Sequence, residues 1–122
     1  MTAVGRLDTL GMFEAAATLG DQVRAAAASA ASVDGLPSAE GVTSVVVAGM
    51  GGSGIGGDLT AALCGPILDV PVIVPKGYEI PNFVGPDTLI FCVSSSGNTE
   101  ETVQVARHAV DRGARLVVIS SG

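Results

Sequence analysis

Apolar residues recur along this chain with two kinds of spacing. From position 8 to about 32 they fall three and four apart (Met12, Phe13, Ala16, Leu19, Val23) in an alanine-rich background. That stripe predicts an amphipathic helix, with Gly20 placed to break it in two. Beyond it come short runs, at 44–48, 70–74, 88–93 and 115–119, in which both parities are apolar. A β-branched run with no polar face predicts a strand covered on both sides, as in a parallel sheet. Pro71 has no donor for the ladder, which puts the second run near a sheet edge. Helices are predicted at 55–63, ended by Gly65 and Pro66, and at 99–112, ended by Gly113. "VDGLPSAEGVTS" and "PKGYEIPNFVGPD" read as connecting loops.

Strand and helix alternate after the first helix, which predicts an α/β fold: a doubly wound parallel sheet with right-handed crossovers and helices on both faces. Residues 1–40 form a helical segment and loop, and 41–122 the sheet domain. The ending "VVISSG" is a strand-to-loop step that ordinarily feeds another helix. The chain is therefore expected to be truncated after its fourth strand.

Composition narrows the chemistry. The chain has 122 residues, 48% hydrophobic and 3% aromatic with 17 glycines, a globular makeup that relies on small side chains. A net charge of −6 with no cluster of Lys and Arg removes the electrostatic drive for nucleic-acid binding, so any anion must be held by local dipoles. Cys64 and Cys92 stand alone, without metal-ligand or C-x-x-C spacing, and read as buried thiols; no metal is expected. The N-terminus has no signal-peptide core, and no apolar run approaches the ~20 residues of a membrane helix. A cytoplasmic protein is expected.

Two loops carry the candidate chemistry. In "VVVAGMGGSGIGGD", 45–58, Gly49, Gly51 and Gly54 fit G-x-G-x-x-G between a strand and a helix, the outline of a dinucleotide-binding turn. The acidic residue that would hold a ribose is missing after the second strand, where Pro75 and Lys76 stand, and Asp69 lies before that strand. No Gly-Lys-Ser/Thr is present either. What remains is backbone N–H groups and a helix N-terminus aimed at an anion, with Ser53 adding a hydroxyl. After the third strand comes "SSSGNTEET", 94–102. Asn98 and Glu101 make a capping pair by spacing, which leaves three consecutive serines unexplained. In a doubly wound sheet the loops after strands one and three face each other at the switch point, so two donor-rich loops would converge on one small phosphorylated ligand.

With those residues in view, "GMGGSGIGGD", "GYEIPNFVGPDTL" and "SSSGNTEET", in this order, resemble the SIS (sugar isomerase) domain, and specifically the N-terminal part of the bifunctional phosphoglucose/phosphomannose isomerase family. The resemblance implies a flavodoxin-like sheet and a cofactor-independent conversion of glucose 6-phosphate or mannose 6-phosphate to fructose 6-phosphate. It also implies a homodimer for the full-length protein. By motif, Ser53, Ser94, Ser96 and Thr99 would hydrogen-bond the phosphate of the phosphorylated hexose, with Gly51 and Gly52 admitting the backbone. Ser95 departs from the family, which often has a bulky residue there. The family's base and acid lie in a second SIS domain, beyond Gly122, so the chain alone is expected to be inactive. Within the chain, Glu79 is the local alternative for the base; His108 reads as a surface residue, Glu100 and Glu101 as partners of a helix dipole, and Lys76 and Tyr78 as solvated charge and loop packing. A non-catalytic phosphosugar-sensing module and a dinucleotide binder remain as alternatives.

Overall fold

Thr18, and not Gly20, divides the N-terminal helical stripe. In the computed structural model, which describes residues 8–77 and 79–121, helix α1 spans Met12–Ala17 and α2 spans Leu19–Ala31. The Thr18 hydroxyl donates to the carbonyls of Glu14 and Ala15 at 3.1 and 3.2 Å, a local bond that competes with the helix ladder, whereas Gly20 continues as helix. At the other end the Asp8 carboxylate accepts from the N–H groups of Met12 and Phe13, offsetting two donors that the first turn leaves over. No residue of α1 or α2 is buried. The chain divides into two compact units, Met1–Leu36 and Pro37–Gly122, and the candidate chemistry lies in the second.

That second unit is a four-stranded parallel sheet. Strand β1 (Ser44–Gly49) is followed by α3 (Gly52–Cys64), β2 (Val72–Ile73), β3 (Thr88–Val93), α4 (Glu100–Asp111) and β4 (Arg115–Ile119), in the spatial order β2-β1-β3-β4. The doubly wound architecture expected from the pattern is present. Central strand β1 is buried at all six positions, as its uniformly apolar run requires. Strand β2 is an edge and shrinks to two residues. Pro71 lies just outside it, without an N–H to give, although its carbonyl still accepts from Val45 N at 2.9 Å.

The two faces of the sheet are unequally covered. Val46, Ala48, Ile90 and Cys92 share one face with Val105 and Ala109 of α4, and this is the core. Ile80 and Val84 join it from the segment before β3, so the predicted loop is also a plug. Arg112 Nη1 pins that segment through Pro81 O at 2.9 Å, and Arg115 Nε through Pro86 O at 3.1 Å. On the opposite face α3 covers β1 and β2, leaving Phe91 and Val93 half-exposed and Ile119 exposed. Strand β3 therefore alternates in burial, contrary to the double-sided cover that its sequence predicts. Cys92 is buried as expected; Cys64 is only half-buried, because the last turn of α3 has no covering layer of its own.

Helix α3 begins three residues earlier than predicted, inside the glycine run. Those glycines differ in what they do. A methyl group on Gly54 would lie 2.9 Å from the carbonyl oxygen of Gly49, a backbone atom, whereas one on Gly56 would meet nothing within 4 Å. Two substitutions two residues apart, on opposite sides of α3, should accordingly have opposite signs. Gly54→Ala is expected to cost about 1–3 kcal/mol of stability through overpacking, and Gly56→Ala to add up to about 1 kcal/mol of helix propensity; paired thermal melts check both. Burial pushes the Cys92 thiol from its ordinary 9.0 up to about 11. In the unfolded chain this thiol ionises first, so the native state loses stability as pH rises from 9.0 toward about 11. Urea titrations across that interval should show the decline made shallower by Cys92→Ala.

Candidate functional site

Register brings the two candidate loops together before any side chain is considered. Gly49 and Val93, the last residues of β1 and β3, are paired neighbours, so the connections that follow leave the same edge of the sheet side by side. This is the switch point of the fold: from β1 the chain crosses to β2 on one side, and β3 and β4 lie on the other.

The first loop is almost entirely backbone. Gly51 turns it with φ 57° and ψ −126°, a left-handed conformation that a side chain would strain, and α3 starts at the next residue. The first turn of α3 then lies directly on the end of β1. A Cβ on Gly49 would sit 2.9 Å from the backbone carbon of Ser53, and one on Gly54 at the same distance from Gly49 O. Ser53 N donates to Met50 O at 3.1 Å and Ile55 N to Gly51 O at 3.2 Å, closing the turn. The helix has no acceptor of its own for the N–H groups of Gly52 and Gly54. Gly51 and Gly52 are exposed and Ser53 is half-buried, so this helix end is reachable.

The second loop is built from hydroxyls. Ser94 is buried, and its Oγ accepts from Gly97 N at 3.1 Å while lying 2.9 Å from Thr99 Oγ1. Ser96 Oγ accepts from Asn98 N at 3.1 Å. The expected Asn98–Glu101 cap does not form. Asn98 stands one residue too early, its side chain turns back to Ser96 O, and Thr99 is the N-cap with its hydroxyl engaged to Ser94 instead of to the helix. A third connection supports the loop from behind: after β4, Ser121 donates through its Oγ at 2.6 Å and its N–H at 3.2 Å to Ser95 O. Ser94 N also donates to Ile119 O at 3.0 Å.

Between the loops lies an open depression of about 650 Å³ lined by Met50, Gly52, Ser53, Ser95, Ser96 and Thr99. Four of the six residues expected at a phosphate are among these. Gly51 instead makes the turn, and Ser94 lies behind the surface holding Thr99 and Gly97. Met50 and Ser95 also line it and are not among those six; Met50 carries no polar group to draw notice, and Ser95 belongs to the expected donor-rich loop but departs from the family pattern. No lining residue is charged, so attraction for an anion comes from two helix N-termini, each equivalent to roughly half a positive charge. Glu100 and Glu101, in the first turn of α4, act against it.

The titratable candidates lie elsewhere. Glu79 is exposed and outside the depression, and His108 is exposed in the last turn of α4. From Glu100 to His108 the helix rises about 12 Å. Tyr78 lies outside the described residues. The segment after β2 carries Pro75 and Lys76, and Asp69 lies before the strand, at the end of the sheet away from the depression, so no carboxylate stands where a ribose would need it. Among the described residues no group of three or more His, Cys, Asp or Glu side chains is placed to hold a metal ion, and no helix is long and apolar enough to cross a membrane.

Known proteins resemble the chain in sequence and in fold. Over 111 residues, 91% of this chain, it is 36% identical to a bifunctional phosphoglucose/phosphomannose isomerase of Caldicellulosiruptor bescii; over 105 residues, 86% of the chain, it is 41% identical to the protein of that name in Thermoplasma acidophilum. It spans 33% and 30% of their lengths. Among solved structures, a protein described as a candidate phosphosugar isomerase from Clostridium difficile 630 superposes with a TM-score of 0.61 at 21% identity, over 67% of this chain and 24% of the other. A second protein so described, from Salmonella typhimurium LT2, gives 0.60 at 22% identity, over 72% and 32%. At that identity the likeness concerns the fold alone. The SIS domain model matches residues 41–122, the stretch that holds both loops and every strand, and the chain belongs to the SIS domain family.

Proposed function

We propose that the depression holds the phosphate of a phosphorylated hexose, and that the chain supplies the phosphate grip of a phosphoglucose/phosphomannose isomerase acting on glucose 6-phosphate or mannose 6-phosphate. The convergence of two helix starts without side-chain caps and four hydroxyl side chains on one uncharged hollow carries this reading. A phosphate monoester bears close to two negative charges at neutral pH and presents three acceptor oxygens. Gly52 would meet it with its backbone N–H group, Ser53 and Ser96 with hydroxyls. Ser94 Oγ accepts from Gly97 N and lies 2.9 Å from Thr99 Oγ1; by giving its proton to Thr99 it would leave the Thr99 proton for the ligand, so that a buried serine would contribute without touching it. Gly51 acts by admitting the backbone.

Moving a proton between C1 and C2 of the sugar needs a carboxylate near neutral pKa and an acid to open the ring. Those carbons lie at the far end of the hexose from a 6-phosphate. Holding the phosphate fixes where that end lies, which lowers the entropic part of the barrier for groups that act there. No carboxylate or imidazole lines the depression, and Glu79 stays outside it, so in this reading the chain orients substrate and does not transfer the proton. The same observation favours the second reading, a phosphosugar sensor without catalysis.

Amide NMR distinguishes these sites from mere packing. Titration with fructose 6-phosphate should move the resonances of residues 51–54 and 94–99, while fructose should not. Ser96→Ala should weaken binding by about tenfold or more, the usual worth of a hydrogen bond to a charged group. An equal response to fructose, or shifts confined to one loop, would refute the two-sided grip.

A further inference from the structure

Resting on that reading of the depression, we propose that Lys76 is the counter-charge of the anion site, kept beside it by Asp58 while the site is empty. The depression has no cation in its lining, and the carboxylates of Glu100 and Glu101 stand at the start of α4. A phosphate dianion would enter a chain of net charge −6 with only dipoles to receive it. The described cations are mostly committed elsewhere. Arg24 pairs with Asp21 in the N-terminal unit; Arg112 donates to Pro81 O; Arg115 donates to the carbonyls of Ser38, Glu40 and Pro86 and faces Asp87. Arg107 lies in the third turn of α4, away from its start.

Lys76 differs in position. It follows β2 at the same sheet edge, and its Nζ lies 3.6 Å from where a Cβ of Gly54 would be, against the first turn of α3. A cation there has the same sign as the helix end and is unfavourable to an empty site. An anion at the start of α3 reverses that sign. Asp58, one turn further along α3, meets Nζ at 2.9 Å and compensates the charge meanwhile. Both side chains of this pair are more than half exposed, 58% and 56%, so the bond is weak and its release costs little. Lysine's four-carbon stem lets the ammonium swing toward the ligand without backbone movement.

The two members of the pair therefore have opposite expected effects, which a simple loop-to-helix staple could not produce. In titrations with fructose 6-phosphate at low ionic strength, Lys76→Met should weaken binding by about threefold to thirtyfold, the order expected for losing one nearby countercharge at intermediate to high dielectric. Asp58→Asn should tighten it by a few-fold, and Lys76→Arg should stay near wild type. Added salt should shrink the Lys76→Met difference. Weakening by both Lys76→Met and Asp58→Asn would show a staple only and overturn the proposal. An unchanged affinity in Lys76→Met, with wild type still binding, would overturn it while leaving the phosphate site intact. Absence of binding by wild type would remove the phosphate site, and the role of Lys76 with it.

Discussion

The contact between the first turn of α3 and the last peptide of β1 is the constraint on which the rest of the site depends. Gly49 and Gly54 meet backbone to backbone, with space for hydrogen and nothing larger. Glycine carries the highest conformational entropy cost of any residue, and a run of six within residues 45–58 would weaken a helix that had no such contact to make. Because α3 starts immediately at the end of β1, its free N–H groups stay at the sheet edge instead of lying a loop's length away. The neighbouring strand β3, in register with β1, then delivers the second loop to the same place.

What the first loop supplies as bare backbone, the second supplies as hydroxyls held in fixed directions. Ser94 is the internal support of that loop, bonded to Thr99 and Gly97, and Ser121 fixes Ser95 from the end of β4. The connections after three strands thus build one open hollow, and the register of β1 with β3 brings its two sides together. In the proposed reading an acidic chain would bind an anion because the relevant charges are local: helix ends and N–H dipoles lining the hollow would outweigh a net charge that salt screens over roughly 10 Å.

Much of this was legible in the sequence, for physical reasons that also explain the gaps. The uniformly apolar run of β1 and the proline at β2 announced a buried central strand and an edge, because ladder donors and covered faces leave unmistakable residue types. The glycine run was legible as close backbone approach but not as helix, since glycine's poor helix propensity hides a helix that tertiary contact enforces. Thr18 displaced Gly20 as the helix break because a side-chain hydroxyl competing for carbonyls is a stronger local interruption than flexibility alone. Asn98 and Glu101 had the spacing of a cap, but the loop gave the cap position to Thr99. The half-covered face of β3 had no sequence signature, because its residues are as apolar as those of a covered one.

The central claim is that one anion is held by both loops at once. A crystal structure of the chain with fructose 6-phosphate tests it most directly. The account predicts phosphate density within hydrogen-bonding distance of Gly52 N, Ser53 Oγ, Ser96 Oγ and Thr99 Oγ1 together. Phosphate density on the α3 side alone, or away from the β1 and β3 edge, would contradict it.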